Sequence, residues 1–521
     1  MLLKIWRFFD LTQEKKTEGN MTRRSYLQAV GGAVAGLVVG GAIGYMAKPA
    51  EMVTQTVTQT ETATQTVTGA APVTSAALTG AVKPGWTLNI ISSSPFDSVT
   101  RHWGDVFGPK MGVTINSISA PAAGTYDVAM TDFMGHSGSY DAVEYGYEWL
   151  ADFVEGGYVV ELDPLIDKYN DHDYWDDLVP TCRKFYTEIK GHFYGIPFDG
   201  DSINYYYRKD IFERDDVKAA FKSALGYDLG PAQDWNQYLD IAKFFTDTTK
   251  GKYIQYGNTE ATHRGRMAVW WFGHRLLGMG GSFLNTDGTP AVNTDIGVKA
   301  LDHLTESLKY APPGAIDFEF QEHENAMVFG QAAQMLQWAN VWSDVELNPK
   351  SFAQGKKPTD ADWPLGIAPV PGVGPGKTGH TLLAGGWSYC INADSKDPED
   401  TYRFLIYMCR LPQSEWQNIH PETGVQPSLK SQYTDPVIID VLSKPFMDAY
   451  SAGQANGVPD LRFPHAPEML DYLDQNVSRA VAGQATSKAA LDDVASHWTD
   501  LCKKYFGSPN VPADYVAMQT P

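Results

Sequence analysis

Residues 194–212 read YGIPFDGDSINYYYRKDIF and carry the signals that decide the fold. A Gly-Ile-Pro segment marks one change of chain direction, and Asp199-Gly-Asp201 marks a second. A β-rich run, residues 203–207, follows directly. An acidic turn that leads into a buried strand is typical of a crossover between two α/β lobes. The stretch therefore predicts two lobes, with the carboxylates of Asp199 and Asp201 at their junction.

The chain before this stretch alternates between predicted strands and other elements. Three short apolar runs predict strands: residues 86–92, 113–119 and 126–130. With a predicted helix after the first run, this order indicates parallel βαβ units and a doubly wound sheet, whose ligands gather at the carboxyl ends of the strands. Ser94 and Asp132 come just after the first and third runs, so we expect both at that rim.

Seven further segments, one before the crossover stretch and six after it, carry recognisable motifs. They are residues 149–167, 234–245, 278–293, 326–337, 365–372, 383–391 and 424–427. Together they resemble the extracellular solute-binding proteins of ABC importers, in the family 1 group that mostly carries sugars and includes maltose-binding-protein-like receptors. The matching segments run in family order from about residue 86 to residue 427, so the resemblance covers most of the chain.

The resemblance implies an α/β fold of two lobes, each a doubly wound sheet flanked by helices, with a hinged cleft between them. We expect residues 83–198 and 371–426 to form the first lobe, and residues 199–370 and 427–521 the second. Ligand binding would favour the closed arrangement because the ligand contacts both lobes. The resemblance further implies a monomer that docks on ABC permease subunits, without covalent chemistry and without a cofactor.

A ligand-binding set follows from the resemblance and from the chemistry of sugars. Carboxylates and amides bind hydroxyl groups, flat aromatic faces cover pyranose rings, and paired glycines let the backbone approach a ligand closely. Trp338 fits a ligand platform and a core residue equally well. The predicted set is Ser94, Asp132, Asp199, Asp201, Trp271, Trp338, Asn340, Gly385, Gly386 and Trp387.

The composition excludes some classes of function. A net charge of −21 over 521 residues argues against a nucleic-acid role, because phosphate binding requires clustered Lys and Arg. A catalytic metal is not indicated, since no H-E-x-x-H spacing occurs. A run like a phosphate loop, residues 371–378, has prolines where that loop needs glycine and a backbone amide. The sequence thus argues against nucleic acid and nucleotide as ligands, and it leaves open which sugar or other small solute, a polyol or glycerol phosphate included, is bound.

The four cysteines carry little information about function. Cys182, Cys390, Cys409 and Cys502 are too far apart for a C-x-x-C metal or redox motif. One or two disulfides in an oxidising compartment and buried free thiols are both open, and the sequence does not set a pairing.

Two other functions stay open beside the receptor. A surface glycosidase would need two carboxylates about 5–10 Å apart across a cleft, and Asp132, Asp199 and Asp201 are the candidates. A surface lectin without a transporter would bind sugars without lobe closure. The resemblance favours the receptor, in which these carboxylates only accept hydrogen bonds from hydroxyl groups.

The N-terminal segment carries export signals. A twin-arginine motif at Arg23 precedes an uncharged, mildly apolar stretch. This stretch has the length of a membrane-spanning helix, ~20 residues. Residues 1–48 therefore predict a twin-arginine-like leader or an N-terminal membrane anchor, with translation starting at Met1 or Met21. Residues 49–82 are Thr-rich and too polar to fold, which predicts a disordered stalk of the archaeal type. We expect the folded body at the extracellular face of the membrane, tethered or secreted.

Overall fold

A computed structural model describes residues 85–121, 124–420 and 423–519, which belong to one compact unit of the chain. The predicted leader or anchor, residues 1–48, and the predicted stalk, residues 49–82, lie outside the described residues. Within the described ranges, no helix has both the length and the apolar character required to cross a membrane.

In chain order, the strands of the described residues are β1 (Thr87–Ser93), β2 (Thr114–Ala120), β3 (Ala142–Gly146), β4 (Glu188–Ile189), β5 (His192–Phe193), β6 (Gly195–Pro197), β7 (Asn204–Arg208), β8 (Gln334–Gln337), β9 (Leu365–Ala368), β10 (Thr381–Leu382), β11 (Trp387–Ile391) and β12 (Gly457–Val458).

The α-helices of the described residues are, in chain order, α1 (Asp97–Met111), α2 (Thr125–Gly135), α3 (Leu150–Glu155), α4 (Asp163–Tyr169), α5 (His172–Asp177), α6 (Lys209–Phe212), α7 (Asp215–Leu225), α8 (Trp235–Lys243), α9 (Met267–Gly278), α10 (Asp295–Ser307), α11 (Phe320–Val328), α12 (Asn340–Leu347), α13 (Pro398–Cys409), α14 (Gln413–Ile419), α15 (Pro436–Leu442), α16 (Lys444–Ala455), α17 (Ala466–Val481), α18 (Ser487–Phe506) and α19 (Ala513–Ala517). Short π-helical turns follow at Cys182–Tyr186 and Phe244–Thr248.

The first lobe consists of a five-stranded sheet and the helices packed on it. Its strand order is β2-β1-β3-β11-β6, and the β1, β2 and β3 neighbours are parallel. The late strand β11 runs antiparallel between β3 and β6, which pairs Trp387 with Gly146 and Ser388 with Pro197. The parallel βαβ units predicted from the first strands are confirmed, because helices separate β1, β2 and β3 along the chain.

The second lobe consists of a three-stranded sheet, order β8-β7-β9, and its helices. Its middle strand β7 is antiparallel to both neighbours, so that Tyr206 lies opposite Met335 and Ile367. Each sheet has its own buried core: Ile90 and Phe404 belong to the core of the first, and Trp235 to the largest core of the second. Two sheets with separate cores give the two-lobed α/β fold that the sequence predicts.

One sequence prediction is wrong in the first lobe. The apolar run at residues 126–130 belongs to α2, with Ala129 and Phe133 buried four residues apart on one helix face. The third strand is β3, which comes later and is buried along its whole length. A short, mainly apolar run of five residues fits a buried strand and a buried helix segment alike, so its periodicity alone could not decide. Asp132 therefore lies near the end of a helix and not at the end of a strand.

Side chains cap the starts of two helices. The Asp234 carboxylate accepts a hydrogen bond from Gln237 N at 2.9 Å at the start of α8. Asp397 caps α13 in the same way, and proline occupies the first turn of that helix. Trp235, the first residue of α8, packs in the core.

Two passages of the chain join the lobes near the candidate site. The first runs from β6 to β7 through Asp199 and Asp201. The second is the return to the first lobe. Before it, β10 pairs with β12 and Leu382 packs in the core of the second lobe; after it, β11 belongs to the first sheet. The lobe boundaries stated above stay a prediction, and this packing favours a return passage between residues 383 and 387.

All four cysteines are among the described residues and each is a buried free thiol. Burial raises the pKa of the Cys182, Cys390 and Cys409 thiols well above the usual range. Of the two states that the sequence left open, the structure has the free thiols.

Candidate functional site

The carboxylates of Asp199 and Asp201 lie between the two sheets, on the passage from β6 to β7. Their residues are 0% and 6% exposed. Asp199 Oδ1 accepts a hydrogen bond from Gln426 N at 2.8 Å, whereas Asp199 Oδ2 is buried without a partner in the protein. Gly200 N donates to Gln426 O at 3.1 Å. The acidic turn is thus clamped against residues 426–428, and one acceptor oxygen is left unsatisfied.

Burial raises the pKa values of both carboxyl groups. Burial raises the pKa of Asp199 to about 7. It raises the pKa of Asp201 well above the usual range, and the neighbouring charge of Asp199 acts in the same direction. Burial and the neighbouring charge of Asp199 favour a proton on Asp201. The pair can therefore donate one hydrogen bond and accept others near neutral pH.

A third carboxyl group, that of Glu144 on β3, is buried on the first-lobe side of the junction. Ser93 N donates to Glu144 Oε2 at 2.9 Å, and Ser93 Oγ donates to Oε1 at 2.5 Å. Burial raises the pKa of Glu144 to about 8 despite these hydrogen bonds, and the charge of Asp199 contributes further. The junction thus holds carboxyl groups that keep protons at a pH at which exposed ones have lost them.

Gly385 and Gly386 bring the return passage against this acid pair. Both have positive φ angles, +99° and +83°, which favour glycine. A Cβ atom on Gly385 would overlap with Asp201 Oδ2, and one on Gly386 would overlap with the Tyr186 ring. Both glycines are therefore required by close approaches of the backbone, Gly385 to the acidic turn and Gly386 to the Tyr186 ring.

Trp387 completes this cluster from the start of β11. Its carbonyl oxygen accepts hydrogen bonds from Phe198 N at 3.2 Å and Asp199 N at 3.3 Å. Its partly buried ring lies 5.8 Å from the Phe96 ring and 5.9 Å from the Trp149 ring, measured between centroids. An aromatic wall therefore stands beside the carboxylates, which is the combination that sugar sites use.

Several other buried polar atoms around the junction have no partner in the described protein. They are Asn204 Oδ1, Tyr206 OH, Glu324 Oε1, Ser388 Oγ and Tyr450 OH. The Tyr206 and Tyr450 hydroxyls are close enough to Asp201 for its charge to raise their pKa values, although burial is the larger cause. Buried polar groups are normally hydrogen-bonded, so this cluster can bind a molecule with many hydroxyl groups.

The structure brings together five residues of the predicted set: Asp199, Asp201, Gly385, Gly386 and Trp387. Ser94 is exposed and lies two residues before Phe96, whose ring contacts Trp387. Asn340 is partly buried and its Nδ2 donates to Glu324 Oε2.

Two tryptophans of the predicted set are buried in the second lobe. Trp338 Nε1 donates to Ala384 O at 2.6 Å, so this side chain supports the backbone just before Gly385. Trp271 is 0% exposed, and its ring packs against Trp338 and His323. For Trp338 the sequence left core and ligand platform open, and its burial and its bond to the backbone favour the core.

Asp132 lies away from the junction. Its Oδ2 accepts a hydrogen bond from Asn392 Nδ2 at 2.7 Å and its Oδ1 accepts one from Ser139 N at 3.0 Å. Asn392 follows the far end of β11, whose near end is Trp387. Four residue steps separate these ends of the strand, about 14 Å at ~3.4 Å per residue. Asp132 therefore lies near the opposite end of the strands of this sheet from the other candidates.

The three acids considered for glycoside hydrolysis do not form one group in the structure. Asp199 and Asp201 belong to one buried turn and interact through their charges, whereas the catalytic carboxylates of glycosidases stand about 5–10 Å apart across the scissile bond. Asp132, the third acid considered for that role, lies at the opposite end of the strands of the first sheet.

Sequence reasoning missed Glu144 and the tyrosines of the junction. A signal for Glu144 was present, because it is a charged residue in the middle of the otherwise uncharged strand β3. Tyr186 and Tyr450 gave no signal, since one lies in a π-helical turn and the other on α16, far apart in sequence. Only the packing of the lobes brings their hydroxyls near Asp201.

The chain is similar to known transport proteins over most of its length. The solved ABC transporter solute-binding protein of Agrobacterium radiobacter, in complex with ribitol, is 27% identical and superposes with a TM-score of 0.68, covering 80% of this chain and 100% of that one. A probable amino-acid ABC transporter periplasmic-binding protein of Sinorhizobium fredii is 23% identical over 393 residues, 74% of this chain and 82% of that protein. The mannitol-binding protein of Pseudomonas aeruginosa is 26% identical over 283 residues, 53% of this chain and 58% of that protein.

The model of one protein family, described as bacterial extracellular solute-binding protein, matches residues 108–409. This match spans more than half of the chain and includes β6, β7 and β11, the strands that carry the junction. The two lobes, their crossover and the family match agree, and the chain belongs to the bacterial extracellular solute-binding protein family.

Proposed function

We propose that this protein is the receptor of an ABC importer and captures a neutral polyhydroxylated solute, a sugar or a sugar alcohol. The observation that carries the proposal is the buried acid pair Asp199 and Asp201 at the crossover, with an unsatisfied acceptor oxygen on Asp199. Hydroxyl groups can donate to such an oxygen and accept from a protonated carboxyl. A ligand that supplies several hydroxyls satisfies the junction without bringing a charge into it.

The side chains of the junction do not suit an anionic ligand. A ligand carboxylate or phosphate would meet the acidic groups of Glu144, Asp199 and Asp201, protonated or not, in place of the cations that pair with an anion. The Arg266 guanidinium already forms ion pairs with Glu148 and Asp460. This argument favours the ligand class named for the ribitol-bound and mannitol-binding relatives over the amino acid named for the Sinorhizobium relative.

In the proposed cycle, the solute contacts both lobes at the crossover and so favours the closed arrangement. Trp387 and Phe96 cover its apolar face, while the backbone at Gly385 and Gly386 approaches it closely. The loaded protein, a monomer, then docks on the permease subunits in the membrane. Residues 1–48 act as leader or anchor, and residues 49–82 hold the receptor at the extracellular face. No bond of the solute is broken in this cycle.

The test is a titration of the purified full-length protein, followed by tryptophan fluorescence, with ribitol, mannitol, maltose, glutamate and glycerol phosphate as separate ligands. We expect saturable binding of a polyol or sugar, a loss of affinity of at least about tenfold in Asp201→Asn, and no response to the anions. Asp132→Asn is the matched control, because it makes the same change at the far end of the strands of the first sheet.

Three outcomes would contradict the proposal. Binding of glutamate or glycerol phosphate in place of the neutral solutes would show that the acid pair does not set the ligand class. Disappearance of the sugar during the titration would indicate an enzyme. Binding without compaction of the protein in small-angle X-ray scattering would favour a lectin without a transporter.

A further inference from the structure

On the surface of the first lobe, Glu161, Asp163 and His192 come together from two separate segments of the chain. One nitrogen of His192 and one carboxylate oxygen of each acid all lie within 4.8 Å of one another. His192 Nδ1 is 3.2 Å from Glu161 Oε1 and 4.0 Å from Asp163 Oδ2. The three side chains are about one third to one half exposed, so solvent can reach the space between them.

The two separations from His192 suit ligands of one ion as well as they suit an ion pair. An imidazole nitrogen and a carboxylate oxygen bind a first-row metal at about 2.0–2.2 Å, so two ligands of one ion lie about 3.0–4.2 Å apart, depending on the angle between them. Both distances from His192 Nδ1 fall in this range. The longer one, 4.0 Å to Asp163, is beyond hydrogen-bonding distance.

The backbone holds the three ligands in place. Leu162 N donates to Phe193 O at 2.7 Å, and Phe193 N donates to Asp163 Oδ2 at 2.9 Å. Leu162 is fully buried, so Glu161 and Asp163 on either side of it are directed away from the core toward His192. The amide of Phe193 gives Asp163 the kind of outer hydrogen bond that orients a carboxylate ligand.

We propose that Glu161, Asp163 and His192 form a binding site for one divalent transition-metal ion, with Zn²⁺ as its probe. One imidazole and two carboxylates suit Zn²⁺, Co²⁺, Ni²⁺ and Mn²⁺, and solvent completes the coordination. The site lies on the outside of the first lobe, apart from the acid pair at the crossover, and does not depend on the identity of the solute.

The position of the site connects it to the second lobe. His192 lies on the β4–β5 hairpin, whose turn carries Lys190. Lys190 Nζ is 3.4 Å from Asp514 Oδ2 and 4.5 Å from the centroid of the Tyr515 ring, both in the C-terminal segment that packs with the second lobe. Arg462, in the second lobe, donates to Glu188 O of the same hairpin. A bound ion would fix the hairpin to Glu161 and Asp163 and stabilise this contact between the lobes.

The test is isothermal titration of the metal-free full-length protein with ZnCl₂ in the absence of any sugar. We expect one site per chain with a dissociation constant in the micromolar range. His192→Ala and Glu161→Gln should each weaken it by more than about tenfold, since each removes a ligand. Co²⁺ absorption in the visible range, lost in the same variants, would report direct coordination.

The matched control is His136→Ala. His136 is an exposed histidine of the same lobe, 2.9 Å from Asp394 Oδ2, and it has no third ligand beside it among the described residues. This variant should bind Zn²⁺ like the unchanged protein. Because the chain has 12 histidines, the comparison separates this site from adventitious binding. Failure of the unchanged protein to bind Zn²⁺, or equal binding by His192→Ala, would overturn the proposal.

Discussion

Arg266 forms an ion pair with Glu148 that joins the two lobes, with Nη2 3.0 Å from Oε1. Glu148 follows β3 in the first lobe, and Arg266 directly precedes α9 in the second. The same nitrogen is 3.3 Å from Asp460 Oδ2, and both carboxylates are at most 10% exposed. Tyr147, beside Glu148, also donates to Asp460 Oδ1 at 3.2 Å. Separation of the lobes would break this network, so it stabilises the arrangement in which they touch.

Replacing Arg266 should separate the effect of this ion pair from a backbone effect. Arg266 has a φ angle of +93°, which favours glycine. Arg266→Ala and Arg266→Gly both leave two shielded carboxylates without their cation, and removal of one partner of a buried pair costs about 3–5 kcal/mol. The glycine variant also loses the backbone strain, so we expect it to be about 0.5–1 kcal/mol more stable than the alanine variant. Urea unfolding measures both differences.

The control for these variants is Arg214→Ala, which breaks an exposed ion pair with Asp216 within the second lobe. It should leave both stability and solute affinity nearly unchanged. An alanine variant of Arg266 as stable as the glycine variant would show that its backbone angle carries no strain.

Gly385→Ala should abolish the close contact between the return passage and the acidic turn. Residue 385 has a positive φ angle, and its added Cβ would overlap with Asp201 Oδ2. Gly355→Ala is the matched control, since Gly355 has a φ of +82° with open space around its Cβ position. We expect a loss of about 1 kcal/mol for the control and at least about 2 kcal/mol for Gly385→Ala. Equal losses by urea unfolding would mean that the space beside Asp201 is not restrictive.

Stability should fall as pH rises from about 4.5 to 8, in part because of Glu144. Its pKa is raised by burial from 4.5 to about 8. The folded state therefore binds more protons than the unfolded state in this range, and stability that is fully present below pH 4.5 is lost as pH rises through 8. Asp199 and Asp460, whose pKa values are raised to about 7, act in the same direction.

The measurement is the free energy of unfolding of Glu144→Gln and the unchanged protein at pH 5 and pH 8. An amide of the same shape keeps hydrogen bonds to Ser93 but does not ionise. We expect the variant to be close to the unchanged protein at pH 5 and more stable at pH 8. A variant that loses stability equally at both pH values would contradict a proton on Glu144.

Two tryptophans of the predicted ligand set should behave differently when truncated. Trp271 is wholly buried, so Trp271→Ala should cost about 3–5 kcal/mol of stability. Trp387 is partly buried beside the acid pair, and Trp387→Ala should mainly weaken solute binding, by on the order of tenfold. Thermal unfolding and the fluorescence titration separate the two effects. An unchanged affinity in Trp387→Ala would remove this ring from the ligand site.

The sequence by itself determined the local elements and the acidic crossover. The turn at Asp199 and Asp201 leads into β7 as predicted, and side-chain caps start the helices at Trp235 and Pro398. These features depend on residues within a few positions of each other, whose turn and cap chemistry can be read directly. The run at residues 126–130 was too short for its periodicity to distinguish a helix from a strand.

Only the tertiary structure decided which residues share the site. Asp201 meets Gly385, and Arg266 meets Glu148, 118 positions away, because the chain passes between two separate sheets before it returns. Burial then sets the chemistry, since Glu144 and Asp199 carry raised pKa values that neither residue type has by itself. No local pattern encodes such pairings, because they depend on the path of the whole chain and on the water that packing removes.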